Sequence, residues 1–162
     1  MISKRLADKI NEQLNFELES GYIYKGMEAF FGNEGLTGFQ HFMKLQAEEE
    51  YAHHDKFANF LYETGNKVEY TAIPEVKNEY KCPKEVMQAA YEHEQEVTKR
   101  IKELYEIALE EKDYVALTTL DWFLHEQIEE EDTFRGIMDR FALLGEANTT
   151  LYWIDKELGH RE

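Results

Sequence analysis

Polar side chains interrupt the apolar faces of four predicted helices at regularly spaced positions. They are four glutamates, a histidine and a glutamine: Glu17, Glu50, His53, Glu94, Gln127 and Glu130. Glu17 and Glu50 are 33 residues apart, the same interval separates Glu94 from Gln127, and a shift of 77 residues relates the first three positions to the last three. Burying a carboxylate without a partner costs several kcal/mol. The pattern therefore indicates cations bound inside a helical core.

The types of these residues indicate which cations. Glu50 and His53 are three residues apart and share one helical face. A Glu-x-x-His pair is typical of di-iron and di-manganese carboxylate bundles. Oxygen ligands with one imidazole suit Fe²⁺ or Mn²⁺ better than Zn²⁺, which prefers sites rich in Cys and His. We expect Glu50 to bridge two metals, with Glu17 and His53 completing one, and Glu94 and Glu130 the other.

The second half of the pattern is not a full repeat. A symmetric site would have Glu at 127 and His at 130, where this chain has Gln127 and Glu130. The second metal therefore lacks an imidazole, and we expect it to be bound more weakly and to exchange more readily. The alternative for the whole set is a water-filled polar layer in a bundle without metal.

Other residues near this pattern have two interpretations. Glu49 and Glu126 are also related by the 77-residue shift. With Glu129 and Glu130 they could hold a third cation, or they could form a solvated acidic face. Tyr24 lies on the same stripe as Glu17 and could bond to a ligand or donate an electron, or be a core tyrosine. Three further histidines lie off the apolar stripes, and we expect them at the surface: His54, His93 and His125.

The helices that must position these residues follow from apolar spacings of three and four. Four long patterns span roughly residues 5–32, 37–64, 84–111 and 113–144, and a short one spans 148–158. We expect Asn148, Thr149 or Thr150 to cap the short helix. Helices of about 28 residues are ~42 Å long, and the middle link of about 18 residues can reach ~60 Å. Two antiparallel hairpins joined by one long crossover are therefore expected.

Composition limits the function classes. A chain of 162 residues with 43% hydrophobic residues is expected to form one domain with a substantial core. Its formal charge of −16 argues against a nucleic-acid partner and suits attraction of cations, although a plain acidic surface is the alternative. Cys82 is the only cysteine, so no internal disulfide can form. No secretory signal or membrane span is evident, and we expect a cytoplasmic protein.

At these positions the chain resembles the bacterial non-haem ferritins over essentially its whole length. The segments that carry the resemblance are Asn11–Glu19, Ala47–His53, His93–Gln95, Glu126–Glu131 and Tyr152–Leu158. The resemblance implies an all-α, ferritin-like four-helix bundle with a long crossover and a short fifth helix, in one domain over residues 1–162. It also implies cages of 24 subunits that oxidise Fe²⁺ with dioxygen or peroxide and store ferric mineral.

The resemblance further implies a role for each site residue. The first iron site would be Glu17, Glu50 and His53, and the second would be Glu50, Glu94 and Glu130 with Gln127 close by. A third site of the bacterial type would be Glu49, Glu126, Glu129 and Glu130. Tyr24 matches the family's tyrosine near the centre. Haem-binding relatives would place a methionine near position 52, where this chain has Ala52, so we expect no haem.

The function expected from the sequence is therefore iron storage with ferroxidase activity, as part of iron homeostasis. The expected partners are iron, dioxygen or hydrogen peroxide, and further copies of the chain in a homo-24-mer. Two alternatives remain. One is a di-iron or di-manganese oxidase or peroxidase without storage, and the other is a metal-free helical interaction protein.

Overall fold

The computed structural model describes all 162 residues, and its regular elements are five helices without a strand. They are α1 (Lys4–Asn33), α2 (Thr37–Glu63), α3 (Pro83–Glu110), α4 (Tyr114–Leu144) and α5 (Asn148–Leu158). The all-α fold class expected from the apolar spacing is confirmed. None of these helices combines the length and the apolar character that crossing a membrane requires.

Two separate apolar clusters show how the four long helices run. One cluster joins the first halves of α1 and α4 to the second halves of α2 and α3. The other joins the second halves of α1 and α4 to the first halves of α2 and α3, together with α5. Helices α2 and α3 therefore run parallel to each other and antiparallel to α1 and α4. The crossover between α2 and α3 must accordingly pass along the whole length of the bundle.

Two asparagine side chains of α1 hold the crossover in an extended path. Asn11 donates to the carbonyl of Lys67 at 2.9 Å and accepts from the backbone N–H of Glu69 at 2.8 Å. Asn15 repeats the arrangement one helical turn later, with the Glu69 carbonyl at 2.8 Å and the Thr71 N–H at 2.9 Å. These amides satisfy backbone groups that have no strand partner. Polar contacts thus fix the first part of the crossover to the bundle.

The start of α5 differs from the expectation. The residue that caps it is Ala147, which makes no side-chain capping bond, so the prediction of a cap at Asn148, Thr149 or Thr150 was wrong. The hydroxyl of Thr150 instead donates to the Leu144 carbonyl at 2.9 Å. That bond satisfies a carbonyl at the end of α4, where the helix leaves such groups without partners.

Helix α5 docks on the start of α2 at very close range. A Cβ atom added to Gly38 would lie 1.6 Å from the carbonyl oxygen of Asp155, so only glycine fits at this contact. The Asp155 carboxylate accepts from the backbone N–H of Phe39 at 2.9 Å. The apolar side of α5 is buried through Ile154 and Leu158. This docking brings the residues after α5 close to α2.

Candidate metal centre

The six polar residues of the repeated pattern lie in the layer between the two apolar clusters. Each of the six residues is at most 5% exposed. They come from all four long helices: Glu17 on α1, Glu50 and His53 on α2, Glu94 on α3, and Gln127 and Glu130 on α4. Mid-helix positions meet at one level because each apolar cluster occupies one end of the bundle.

The half of this layer contributed by α1 and α2 offers free ligand atoms. One ligand atom each from Glu17, Glu50 and His53 lies within 4.8 Å of the others. Gln13 donates to one oxygen of Glu17 at 2.8 Å. The other Glu17 oxygen and both Glu50 oxygens are buried and accept no hydrogen bond. Buried carboxylate oxygens without donors, beside an imidazole, suit a divalent cation with oxygen and nitrogen ligands.

Burial and like charges govern the ionisation of Glu50. Burial raises the pKa of its carboxyl well above the usual range, and the neighbouring carboxylates of Glu94 and Glu17 raise it further. The raised pKa favours the protonated carboxyl while no cation is bound, and a bound cation would favour the ionised form. Binding of metal at this position should accordingly release protons to the solvent.

The half contributed by α3 and α4 already has protein donors on its carboxylates. The Tyr24 hydroxyl donates to one oxygen of Glu94, and the Gln127 amide donates to the other at 3.0 Å. Burial raises the pKa of Glu94 to about 7, although the hydrogen bonds from Tyr24 and Gln127 act in the opposite direction. Burial likewise raises the pKa of the Tyr24 hydroxyl well above its ordinary value, and the Glu94 charge adds to the shift.

Glu130 is held by a donor from a different helix. The amide of Gln46 on α2 donates to one of its oxygens at 2.8 Å. Burial raises the pKa of Glu130 well above the usual range, with the Glu94 and Glu49 charges adding to the shift, while Gln46 and Arg161 oppose it. Glu130 is thus tied into a network that extends to the segment after α5.

The four residues suggested for a third cation are only partly brought together. Ligand atoms of Glu126 and Glu130 lie within 4.8 Å of each other and of His53, and the Glu126 carboxylate is 3.8 Å from His53 Nε2. Glu49 is not in this group, and one of its oxygens pairs with Arg161 at 2.7 Å. Glu129 is exposed and also stands outside the group.

The expectation that three other histidines lie at the surface was wrong for His54, and His93 is half-buried rather than exposed. His54 is buried, and its ring contacts the Tyr70 hydroxyl of the crossover at 3.1 Å. His93 packs on Phe16 and bonds to the Ser20 hydroxyl at 2.7 Å. Burial lowers the pKa of His93 to about 4, helped by the Arg100 charge. His125 is exposed, as predicted.

Three residues that contact the centre were not identified from the sequence. Gln13 and Gln46 each lie four residues before a site glutamate, Glu17 and Glu50. That spacing puts them on the same helical face and could have indicated a role. The third is Arg161, for which no local pattern gave any indication.

Comparisons with known proteins agree with this geometry. Residues 7–144 match the family model described as the ferritin-like domain. A "Probable bacterial non-heme ferritin-like protein" of Haemophilus influenzae is 39% identical over 160 residues, which is 99% of this chain and 97% of that protein. A "Bacterial non-heme ferritin" of Staphylococcus haemolyticus is 37% identical over 161 residues, again 99% and 97% of the two chains.

The similarity extends to a solved structure. An open pore ferritin from the hyperthermophilic archaeon Archaeoglobus fulgidus superposes with a TM-score of 0.98 at 38% identity, and the alignment covers 100% of both chains. The bundle with its long crossover and fifth helix is therefore ferritin-like throughout. With the family model matched over most of the chain, the conclusion is direct: this protein belongs to the ferritin family.

Proposed function

We propose that this chain is the subunit of an iron-storage protein whose metal centre oxidises Fe²⁺ to Fe³⁺. One observation carries the proposal: ligand atoms of Glu17, Glu50 and His53 converge within 4.8 Å, and three of the carboxylate oxygens are buried without a hydrogen bond. Iron is the substrate of this reaction. Carboxylates attract Fe³⁺ more strongly than Fe²⁺ because the interaction scales with charge, so these ligands favour oxidation.

Two irons bound side by side supply the two electrons that the oxidant requires. Glu17, Glu50 and His53 would hold the first Fe²⁺, while Glu50, Glu94 and Glu130 would hold the second, with Gln127 and Tyr24 as hydrogen-bonding neighbours. Each Fe²⁺ loses one electron. The pair reduces one dioxygen to hydrogen peroxide, or one hydrogen peroxide to water, with protons taken up from solvent. The di-iron arrangement thus avoids one-electron reduction of the oxidant.

Storage requires an enclosed space, which a single bundle does not provide. We propose that copies of the chain assemble into the 24-subunit cage implied by the resemblance to bacterial ferritins. Large apolar side chains at the end of α4 and on α5 are exposed in the single chain, namely Leu143, Leu144, Tyr152 and Trp153. Large exposed apolar side chains that follow one another in the sequence, as these do at the end of α4 and on α5, would suit an interface between chains.

The test compares two adjacent histidines of α2. His53→Ala removes an imidazole that faces Glu50, whereas His54→Ala removes a buried imidazole that faces the crossover. We expect His53→Ala and Glu50→Ala to slow the rapid oxidation of Fe²⁺, followed by stopped-flow absorbance, by at least about 100-fold. His54→Ala and Glu48→Ala should retain wild-type rates. Wild-type rates in His53→Ala and Glu50→Ala would contradict the proposal.

The size of the native assembly distinguishes storage from its alternative. A di-iron or di-manganese oxidase or peroxidase without storage would use the same carboxylates and would be expected as a dimer or a monomer. Native mass spectrometry combined with iron analysis after loading separates the two. A cage of about 24 chains that retains many irons per chain supports storage. A small assembly that retains at most about two irons per chain supports the alternative.

A further inference from the structure

The segment that follows α5 turns back onto α2 beside the metal centre. His41 Nε2 donates to the carbonyl oxygen of Arg161 at 2.6 Å. The guanidinium carbon of Arg161 lies 4.8 Å from the centre of the Phe42 ring, within the range of a cation–π contact. Both contacts orient the Arg161 side chain along α2 toward the acidic residues that follow in that helix.

The guanidinium of Arg161 binds two side chains of α2 at once. Its Nη2 lies 2.7 Å from Glu49 Oε1, and its Nη1 donates to the Gln46 side-chain oxygen. Since the oxygen of Gln46 is used in this way, its nitrogen faces Glu130 and donates at 2.8 Å. The planar fork of arginine suits such a double contact. Its positive charge reaches Glu49 directly and Glu130 through one amide.

These contacts involve carboxylates suggested for a third cation. Glu49 and Glu130 are two of its four proposed ligands, with Glu126 and Glu129. The second oxygen of Glu49 is buried and accepts no hydrogen bond, so it is available to a cation. A metal ion at this position and the guanidinium would be attracted by the same negative charges, and each reduces the attraction of the other.

We propose that Arg161 is a tethered competing cation that regulates binding of a third metal ion at Glu126 and Glu130, beside Glu49. The inference rests on the proposed function, because it takes this position as part of the same iron-handling centre. While Arg161 is bound, it neutralises Glu49 and keeps the affinity of the third position low. A third cation binds by displacing the guanidinium. Arg161 is a positioning residue, since it acts through Glu49 and Gln46.

The test is an anaerobic titration of the intact assembly with Mn²⁺, which serves as a stand-in for Fe²⁺ that dioxygen-free buffer keeps unoxidised. We expect Arg161→Gln to tighten the weakest binding step about tenfold, the equivalent of one charge-assisted hydrogen bond. The tighter steps should change by less than about twofold. Arg161→Lys keeps the charge but loses the planar guanidinium. Its weakest Mn²⁺ binding step should be almost as weak as in the wild type.

A matched arginine separates this role from a loosened α5. Arg140 on α4 pairs with Glu157 of α5 at 2.7 Å but does not contact the acidic residues of the centre. Arg140→Gln should therefore bind Mn²⁺ as the wild type does. In the double variant Arg161→Gln/Glu49→Gln, the tighter Mn²⁺ binding seen in Arg161→Gln should disappear. Anomalous scattering from Mn²⁺-soaked crystals of Arg161→Gln should show the added ion beside Glu49.

Two results would overturn the role of Arg161: an unchanged weakest step in folded Arg161→Gln, or an equal gain in Arg140→Gln. Failure of the proposed function would give a different result. In that case the wild type would show no Mn²⁺ at Glu17, Glu50 and His53. The difference between Arg161→Gln and the wild type would still decide whether Arg161 competes with a cation.

Discussion

The half of the centre formed by α1 and α2 and the half formed by α3 and α4 share one spacing but treat their carboxylates differently. In the first half, one Glu17 oxygen and both Glu50 oxygens accept no hydrogen bond. In the second half, Glu94 accepts from Tyr24 and Gln127. The first half therefore offers carboxylate oxygens that a cation can bind, whereas the carboxylate of the second half is partly satisfied by donors from the protein itself.

The change at position 127 accounts for much of this difference. Where the repeat would place a carboxylate, Gln127 places an amide whose N–H groups donate to Glu94 at 3.0 Å and toward Thr98 at 3.2 Å. An amide donor stabilises a neighbouring carboxylate, whereas a second carboxylate repels it and attracts a cation. A carboxylate at position 127 would be a candidate metal ligand, whereas the amide of Gln127 supports Glu94.

The largest expected effect is on the pH dependence of metal-free stability. Burial raises the pKa of Glu94 to about 7, above the ordinary 4.5, so the folded state holds this proton more tightly than the unfolded state. Stability from this group is therefore full below about pH 4.5 and is lost as pH rises to about 7. The loss amounts to roughly 3 kcal/mol. Denaturant unfolding at several pH values should show it.

The matched variants for this measurement are Glu94→Gln and Glu92→Gln. Glu94→Gln cannot ionise and should remove the contribution of Glu94 to the fall in stability between about pH 4.5 and pH 7, while Glu50 and Glu130, whose pKa values are also raised, keep theirs. Glu92→Gln removes an exposed carboxylate of the same helix and should keep the wild-type slope. Equal slopes in Glu94→Gln and the wild type would show that the protein donors already stabilise the charged form of Glu94.

A smaller effect should separate the two halves in cation affinity. Glu17→Gln removes a ligand from the group with free oxygens, and we expect the tightest Mn²⁺ step to weaken at least about 100-fold, since even partners of metal ligands contribute ~10–100-fold. Glu94→Gln should weaken that step by no more than about tenfold and act mainly on the second ion. Anaerobic calorimetric titration measures both steps. Equal losses on the tightest step would remove the distinction between the halves.

A glutamate at position 127, as the 77-residue repeat would place it, should lower the stability of the metal-free protein and raise its affinity for cations. Gln127→Glu removes a donor to Glu94 and adds a buried like charge, so we expect the metal-free protein to lose about 2 kcal/mol. Saturating Mn²⁺ should stabilise this variant more than the wild type, because a tighter ligand shifts unfolding further. Gln127→Met is the control, since it loses the donor without adding charge. Thermal unfolding with and without Mn²⁺ tests both variants.

The smallest effect is expected from the tyrosine beside Glu94. Tyr24→Phe removes one hydrogen bond to a buried carboxylate and leaves the ring packed on Phe134. We expect the second Mn²⁺ step to change by about tenfold at most, with the first step unaffected. A large change in the first step would show that Tyr24 supports both halves equally. The same titration provides the measurement.

The helices were predictable because their determinants are local. Apolar residues at steps of three and four, turn-forming glycines and a proline at the start of α3 act within one or two helical turns. The observed bounds accordingly differ from the predicted ones by at most one residue. The parallel run of α2 and α3 also followed from sequence, because a short link forces a hairpin and a long one permits a crossover.

The surroundings of the centre were less predictable. The periodicity placed six polar residues on buried faces, but it could not show which oxygens would remain free. Tyr24 meets Glu94 across 70 positions in the chain, and Gln46 meets Glu130 across 84. His54 was misassigned to the surface because the crossover covers it, and His93 is half-buried because Phe16 packs on one side of its ring. Such contacts depend on how helices are set against each other.

The sequence by itself determined that this chain is helical, that α1 to α4 bring acidic residues and a histidine to one buried level, and that the ligand types at this level suit Fe²⁺ or Mn²⁺. Those properties follow from residue types and from their spacing at the helical period, both of which can be read from positions close together in the sequence. The tertiary structure decided which carboxylates the protein neutralises with its own donors, including the pairing of Arg161 with Glu49. That choice depends on side-chain distances between elements far apart in sequence, and only the packed bundle sets them.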